Sequence, residues 1–375
     1  DYTILTDSSS NTIKFKNFET ITVAGKTYVE VDQSNLGINS GSGGLTNAYW
    51  GNTEKLVISN GKGVIWYTPN IYASGDRDFG ANGSDNITFK GSDTAGDTVD
   101  LGVNRAVNFS GNFTAHFGGG NDQLQRAHFK GSDSIDMGAG DDTITFGDGG
   151  NWSSMGVQTG TNFRVSKLDG GAGNDTLHFM NAGTSLSGIT NLTLTIGNAT
   201  NFENLTGRTV AETITGDSNA NVLNSGGGAD TLYGLAGNDT LYTYGQGIYA
   251  ANTILYGGSG DDILKAGDKD DTLDGGTGKD TITSGGGSDT IVLRAGGGGD
   301  SLDKADIVSD FVDGTDVFGL DNNVAFKDLI ISQGTGANAN HAIIKIGTTG
   351  EYLAIVHNMS SGNLMEADFT PVSIT

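Results

Sequence analysis

Residues 257–293 read GGSGDDILKAGDKDDTLDGGTGKDTITSGGGSDTIVL. Aspartate recurs at 262, 271, 280 and 289, nine residues apart, and Leu264, Leu273, Ile282 and Ile291 follow each one two positions later. Glycine at this density weakens any ordinary helix or strand, so the period describes a different object. G-G-x-G-x-D turns the chain sharply, and x-U-x (U a large aliphatic residue) forms a three-residue strand whose central side chain points inward. One unit gives a turn and a strand, and two units complete a coil. Loops eighteen residues apart then stack, placing Asp262 over Asp280 and Asp271 over Asp289.

Outward from this stretch the motif recurs with varying fidelity. Complete copies are GGAGNDTLH (170–178), GGSGDDILK (257–265) and GGTGKDTIT (275–283). Near copies begin at 80, 117, 137, 225, 234, 266 and 284, and HFKGSDSID (128–136) is a weaker echo. Two tracts are continuous, 207–242 and about 257–292, with earlier copies isolated or paired. Glu212 and Asn221 stand in phase with Asp230 and Asp239 but lack the aspartate. Lys269 and Leu235 occupy motif glycine positions and leave the geometry of those two loops open.

Stacked loops of this kind place two carboxylates and several backbone carbonyls between successive coils. That is a hard, all-oxygen cage, which suits Ca²⁺ with its 6–8 oxygen ligands and tolerance of irregular geometry. Zinc and copper prefer nitrogen or sulfur, and the chain has no cysteine and only five scattered histidines. The ligand candidates are Asp122, Asp142, Asp175, Asp230, Asp239, Asp262, Asp271, Asp280 and Asp289, with Asp133 and Asp85 as lesser ones, for several ions in all. Ordering a glycine-rich turn costs about 1–2 kcal/mol per residue, against roughly 1.5–3 kcal/mol for one buried aliphatic residue per strand. The repeats are therefore expected to fold only as they bind calcium.

Composition narrows the classes. The 375 residues include 62 glycines, two prolines and 44 acidic against 20 basic residues, a net charge of −24. Such a surface repels nucleic acid and anionic membranes, and no apolar run is long enough for a membrane-spanning helix. The chain begins at Asp1 without a signal-peptide pattern, and a longer parent chain is one expectation. The expected organisation is a β-rich N-terminal segment (1–79), sparse repeats with insertions (80–180), the main repeat tract (181–300) and a β-rich C-terminal cap (301–375). In the first segment, TIKFKNF, TITVAGKTYVEV and EKLVISNGKGVIWYT read as antiparallel strands with turns at Ala24-Gly25 and Asn60-Gly61.

The nonapeptides resemble the RTX, or hemolysin-type, calcium-binding repeats, over roughly 80–293. Residues 306–336 also resemble the region that follows the repeats in that family. The resemblance implies an all-β fold, a parallel β-roll loaded with Ca²⁺, with non-repeat β insertions and a C-terminal β cap. It also implies export by type I secretion, folding outside the cell, and an uncleaved C-terminal signal to which ADFTPVSIT (367–375) would belong.

Repeats of this type accompany many activities, so they do not settle a role. H-E-x-x-H and G-x-S-x-G are absent, and His116, His128 and His178 each lie in strand-like sequence without a partner at motif spacing. Trp50, Trp66 and Trp152 read as packing residues before sugar platforms. The expectation is a non-catalytic extracellular structural protein of the cell surface, a surface-layer or matrix subunit that assembles into a lattice or on cell-surface polysaccharide. The alternatives are the end of a large adhesin, and the repeat-bearing part of an enzyme whose catalytic domain lies upstream.

Overall fold

The computed structural model describes residues 113–127, 132–146, 165–180, 189–243, 250–321 and 323–373, together with Gly96 and the strand segments 2–6, 12–16, 20–23, 26–29, 55–59, 64–66, 86–90 and 98–100. Asp85, Trp50, Trp152 and His128 lie outside them. The described secondary structure is β throughout, apart from three-residue 3₁₀ turns. No helix of the described residues is long and apolar enough to cross a membrane. The chain divides into two compact units, Asp1–Ile189 with Thr195–Phe202, and Thr190–Leu194 with Glu203–Thr375.

In the first unit, Tyr2–Thr6 pairs antiparallel with Thr12–Lys16, and Thr20–Val23 with Lys26–Val29, as the alternation and the Ala24-Gly25 turn predict. The expected hairpin through Asn60-Gly61 does not form. Lys55–Ser59 instead runs parallel to Asn86–Lys90, and Val64–Trp66 runs parallel to Thr98–Asp100, in separate sheets. Consecutive strands of a coil lie on opposite walls, so each finds its hydrogen-bond partner one full coil away and not next in sequence. Among the described residues, parallel pairing thus starts at Lys55, ahead of the first recognisable nonapeptide. One wall continues through Phe113–His116, Ser134–Asp136, Lys167–Asp169 and Ala199–Thr200. The other continues through Gln123–Ala127, Thr143–Phe146 and Thr176–Phe179.

The second unit repeats this plan with a tighter rhythm. One wall runs Asn191–Thr193, Thr213–Thr215, Thr231–Ala236, Ile254–Ser259, Thr272–Thr277, Thr290–Arg294, Val317–Asp321 and Phe369–Pro371. The other runs Asn204–Thr206, Val222–Asn224, Thr240–Tyr242, Ile263–Lys265, Thr281–Thr283, Asp306–Val308 and Tyr352–Val356, and closes with the antiparallel strands Ala342–Ile346 and Leu329–Gln333. In the repeats Leu264 pairs with Ile282, and Leu273 with Ile291, the eighteen-residue register that the motif predicts.

The core is the file of motif aliphatics. Leu205, Ile214, Leu223, Leu232, Leu241, Leu255, Leu264, Leu273, Ile282 and Ile291 are all fully buried between the two walls. Each strand contributes one such residue, worth roughly 1.5–3 kcal/mol, so the interior is long and one side chain deep. The C-terminal residues close it. Asp306–Val308 and Val317–Asp321 extend the two walls in parallel, and Phe311, Phe318 and Phe369 stack in turn, with centroids 4.4 and 5.3 Å apart. A parallel wall that ended at Arg294 would leave an open edge and exposed apolar core.

Candidate metal centre

The loops stack so closely that the motif glycines have no room for a side chain. A Cβ on Gly276 would stand 2.0 Å from the Gly258 carbonyl oxygen, and one on Gly260 would stand 1.8 Å from that of Gly237. Both residues also sit in the left-handed region, at φ 101° and 129°, which favours glycine. The first glycine of each motif answers a different need. A Cβ on Gly257 would lie 2.4 Å from Asp262 Oδ2, and one on Gly275 would lie 2.1 Å from Asp280 Oδ2. The motif aspartate folds back beneath the loop that carries it, and the first glycine leaves it space.

Asp142, Asp239, Asp262 and Asp280 divide their two oxygens between separate tasks. Oδ1 accepts a hydrogen bond from the backbone N–H of the residue at the aspartate position one coil earlier. Asp262 donates to Asp280 Oδ1 (2.9 Å), Asp271 to Asp289 (2.9 Å) and Asp239 to Asp262 (2.7 Å). In the first unit Asp122 donates to Asp142 (2.7 Å) and Asp142 to Asp175 (2.8 Å). Oδ2 of Asp142, Asp239, Asp262 and Asp280 is buried and accepts no hydrogen bond. A buried carboxylate oxygen in that state demands a proton or a cation. Burial accordingly raises the affinity of these groups for protons. Asp280 is pushed up to about 7, and Asp239 and Asp262 to about 6. Asp142 moves in the same direction, again chiefly through burial.

These residues fit a divalent ion with hard oxygen preference. Among the described residues no three His, Cys, Asp or Glu side chains converge as a metal-holding group, so any such site draws on backbone as well. The interface provides it, since the carbonyls of Gly258 and Gly260 face the next loop at Gly276 and Gly278. Asp239, Asp262 and Asp280 on one edge of the second unit, and Asp142 and Asp175 in the first, would hold the ions. Bound there, the ion supplies the positive charge that lets two buried carboxylates stay ionised.

The two edges of the second unit differ in a way the motif alone conceals. On the edge bearing Asp230, Asp271 and Asp289, Ser225, Ala266 and Ser284 replace the first glycine. Asp271 is fully engaged: Oδ1 accepts from the N–H and hydroxyl of Thr253 (2.6 and 2.8 Å), and Oδ2 accepts from the Gly267 N–H (3.2 Å). Asp230 and Asp289 are each pushed up to about 7, with burial the main cause. Asp133 is buried, and its backbone carbonyl accepts from the Ser166 N–H and hydroxyl. Leu235 and Lys269 leave the stacking intact. Leu235 adopts φ 83° and keeps register with Gly258, and a Cβ on Gly287 would meet the Lys269 carbonyl at 2.5 Å.

Sequence reasoning found the early copies but missed their continuity, and missed two further sets of residues. The copies at 117, 137 and 170, expected to stand isolated or paired, form one continuous stack, because the insertions between them leave the coil register unchanged. The aspartate ladder runs on past the repeats: Asp280 donates its N–H to Asp306 Oδ1 (2.9 Å) and Asp289 to Asp316 Oδ1 (3.1 Å). Asp306 is buried, which raises its proton affinity well above the carboxylate range. A second, exposed ladder uses the residue before each aspartate and runs in the opposite direction. There the later coil donates: Asp141 N–H to Asn121 Oδ1, Asn174 to Asp141, Asp261 to Asn238, Lys279 to Asp261, and Ser288 to Asp270, all at 2.9–3.0 Å. The signal was present as Asn or Asp at the fifth motif position, in Asn121, Asp141, Asn238, Asp261 and Asp270, while Ala211, Ala220 and Ala229 interrupt it.

Comparison with known proteins agrees with this geometry. A family profile described as the RTX calcium-binding nonapeptide repeat matches in four copies, over residues 167–179, 206–243 and 256–291. No curated protein matches the chain. The profile falls on the loops whose carboxylates are buried between coils. The two parallel walls are those of a β-roll, and the matched segments are hemolysin-type RTX nonapeptide repeats, whose ion is Ca²⁺.

Proposed function

We propose that this protein is a secreted structural component of the cell surface, a surface-layer or matrix subunit that calcium folds and holds in an assembling form. The observation that carries this reading is the division of work within Asp239, Asp262 and Asp280. One oxygen grips the backbone of the adjacent coil and the other is buried without a hydrogen bond, where an ion would be held. Calcium bound there acts on coil stacking, so its product is a rigid shape and not a reaction. The chain acts without catalysis of its own. Its acidic surface, at a net charge of −24, resists close packing of copies until divalent ions lower that charge. Export fits the same chemistry, because calcium is plentiful outside cells. The partner in this reading is a second copy of the chain, arranged in a lattice.

Electron microscopy of the purified chain, in millimolar calcium and in EGTA, tests the reading. Ordered arrays that form only with calcium are expected. A chain that folds with calcium yet stays monodisperse at every concentration would overturn the surface-lattice role and leave calcium-dependent folding standing.

A further inference from the structure

The first full coil of the main tract departs from the motif at the positions that would hold the ion. In the loop 207–212 (GRTVAE), Arg208 replaces the second glycine and Glu212 the aspartate. Arg208 Nε donates to Glu212 Oε1 at 2.6 Å, and the Arg208 N–H donates to Oε2 at 2.7 Å. The two side chains are 5% and 0% exposed. In the loop 216–221 (GDSNAN), Asn221 replaces the aspartate. Its amide nitrogen donates to Asp217 Oδ1 at 3.2 Å, while the Asp217 N–H donates to Asn221 Oδ1 at 2.8 Å.

Both loops still lock to the next coil in the usual way. Glu212 donates its N–H to Asp230 Oδ1 and Asn221 donates to Asp239 Oδ1, each at 2.8 Å. Leu205, Ile214 and Leu223 fill the core as their counterparts do. What changes is the charge balance inside the loop. At Asp239, Asp262 and Asp280 a buried carboxylate oxygen faces no donor. Here Arg208 holds one carboxylate at two points, its guanidinium Nε on Oε1 and its backbone N–H on Oε2, and a neutral amide replaces the other carboxylate. The requirement for an external cation is met from within the chain.

We propose that the coil 204–224 is a metal-independent first coil. It orders without calcium and presents formed strand edges on which the calcium-requiring coils, from residue 225 onward, then order. Arg208 serves as a built-in substitute for the ion. The inference rests on calcium binding by the later repeats and not on the surface role.

Hydrogen exchange read by mass spectrometry on the full chain tests it. In EGTA, amides of Asn204–Thr206, Thr213–Thr215 and Val222–Asn224 are expected to exchange at least about 100-fold more slowly than those of Ile263–Lys265 and Thr281–Thr283. In calcium both groups should be protected. Equal exchange of the two groups in EGTA, fast or slow, would overturn the proposal. Arg208→Met should remove the protection of 204–224 in EGTA, and Arg208→Lys should retain part of it. Unchanged protection in Arg208→Met would show that the guanidinium is not the substitute. Loss at 263–283 in Arg208→Met even with calcium would assign Arg208 to the fold of the whole unit, and would equally overturn it.

Discussion

Replacing Asp280 in two ways separates the two tasks of its carboxylate. Asp280 is fully buried, its Oδ1 accepts the Asp262 N–H at 2.9 Å, and its Oδ2 accepts no hydrogen bond and would hold the ion. Asp280→Asn keeps an acceptor for the Asp262 N–H and removes the charge. Asp280→Ala removes both and leaves a buried N–H unsatisfied, which costs about 1–3 kcal/mol. In saturating calcium, both variants should weaken the coil through lost ion contacts, and Asp280→Ala should be worse by that amount. At 1.4 kcal/mol per factor of ten, the difference is roughly 5- to 150-fold in local opening. Hydrogen exchange of Ile263–Lys265, compared between the two variants, reads it directly. Identical exchange in Asn and Ala variants would refute the role of the Oδ1 hydrogen bond, and wild-type exchange in both would refute the ion site as well.

Three further outcomes follow from the same geometry. With calcium removed, the raised proton affinities of Asp239, Asp262 and Asp280 (about 6, 6 and 7, against an ordinary 3.8) favour the folded state when protonated. Their contribution is complete below pH 3.8 and is lost as pH rises to about 7, so circular dichroism in EGTA should show more β signal at pH 4 than at pH 8; the reverse order would contradict it. Leu235 is half exposed and sits at φ 83°, so Leu235→Gly should relieve about 1–2 kcal/mol of left-handed strain and raise the thermal midpoint in calcium. Gly260→Ala would place a methyl group 1.8 Å from the Gly237 carbonyl, and calcium titration followed by circular dichroism should show a weakened, less cooperative transition, whereas an unchanged curve would mean that the coils stack more loosely than described.

The nine-residue period made the main tract legible, because one spacing fixes turn, strand and inward side chain together. Leu264 opposite Ile282 and Asp262 beside Asp280 follow from counting alone. The first unit was harder to read, since the steps from Asp122 to Asp142 and from Asp142 to Asp175 are twenty and thirty-three residues. A coil keeps its register while its loops vary in length, and a fixed-period search does not see that. The strands at 55–59 and 64–66 misled for a related reason. Local alternation reports that one face is buried, but parallel pairing is decided by partners 31 and 34 residues away. Asp306 and Asp316 escaped because the segments before them swell past nine residues, although each still reaches back to the last repeat coil.

The exposed ladder at the fifth motif position sets a rule for extending the protein by engineering. Asp261 and Asp270 each offer a side-chain acceptor to the following turn, while Lys279 and Ser288 only receive from the one before. A tandem duplicate of 257–274 therefore preserves every rung, and copies of that cassette can be spliced in series to lengthen the second unit. Duplicating 275–292 would instead set lysine on lysine and interrupt the outer clasp at each junction, so the terminal module belongs at the end and nowhere else.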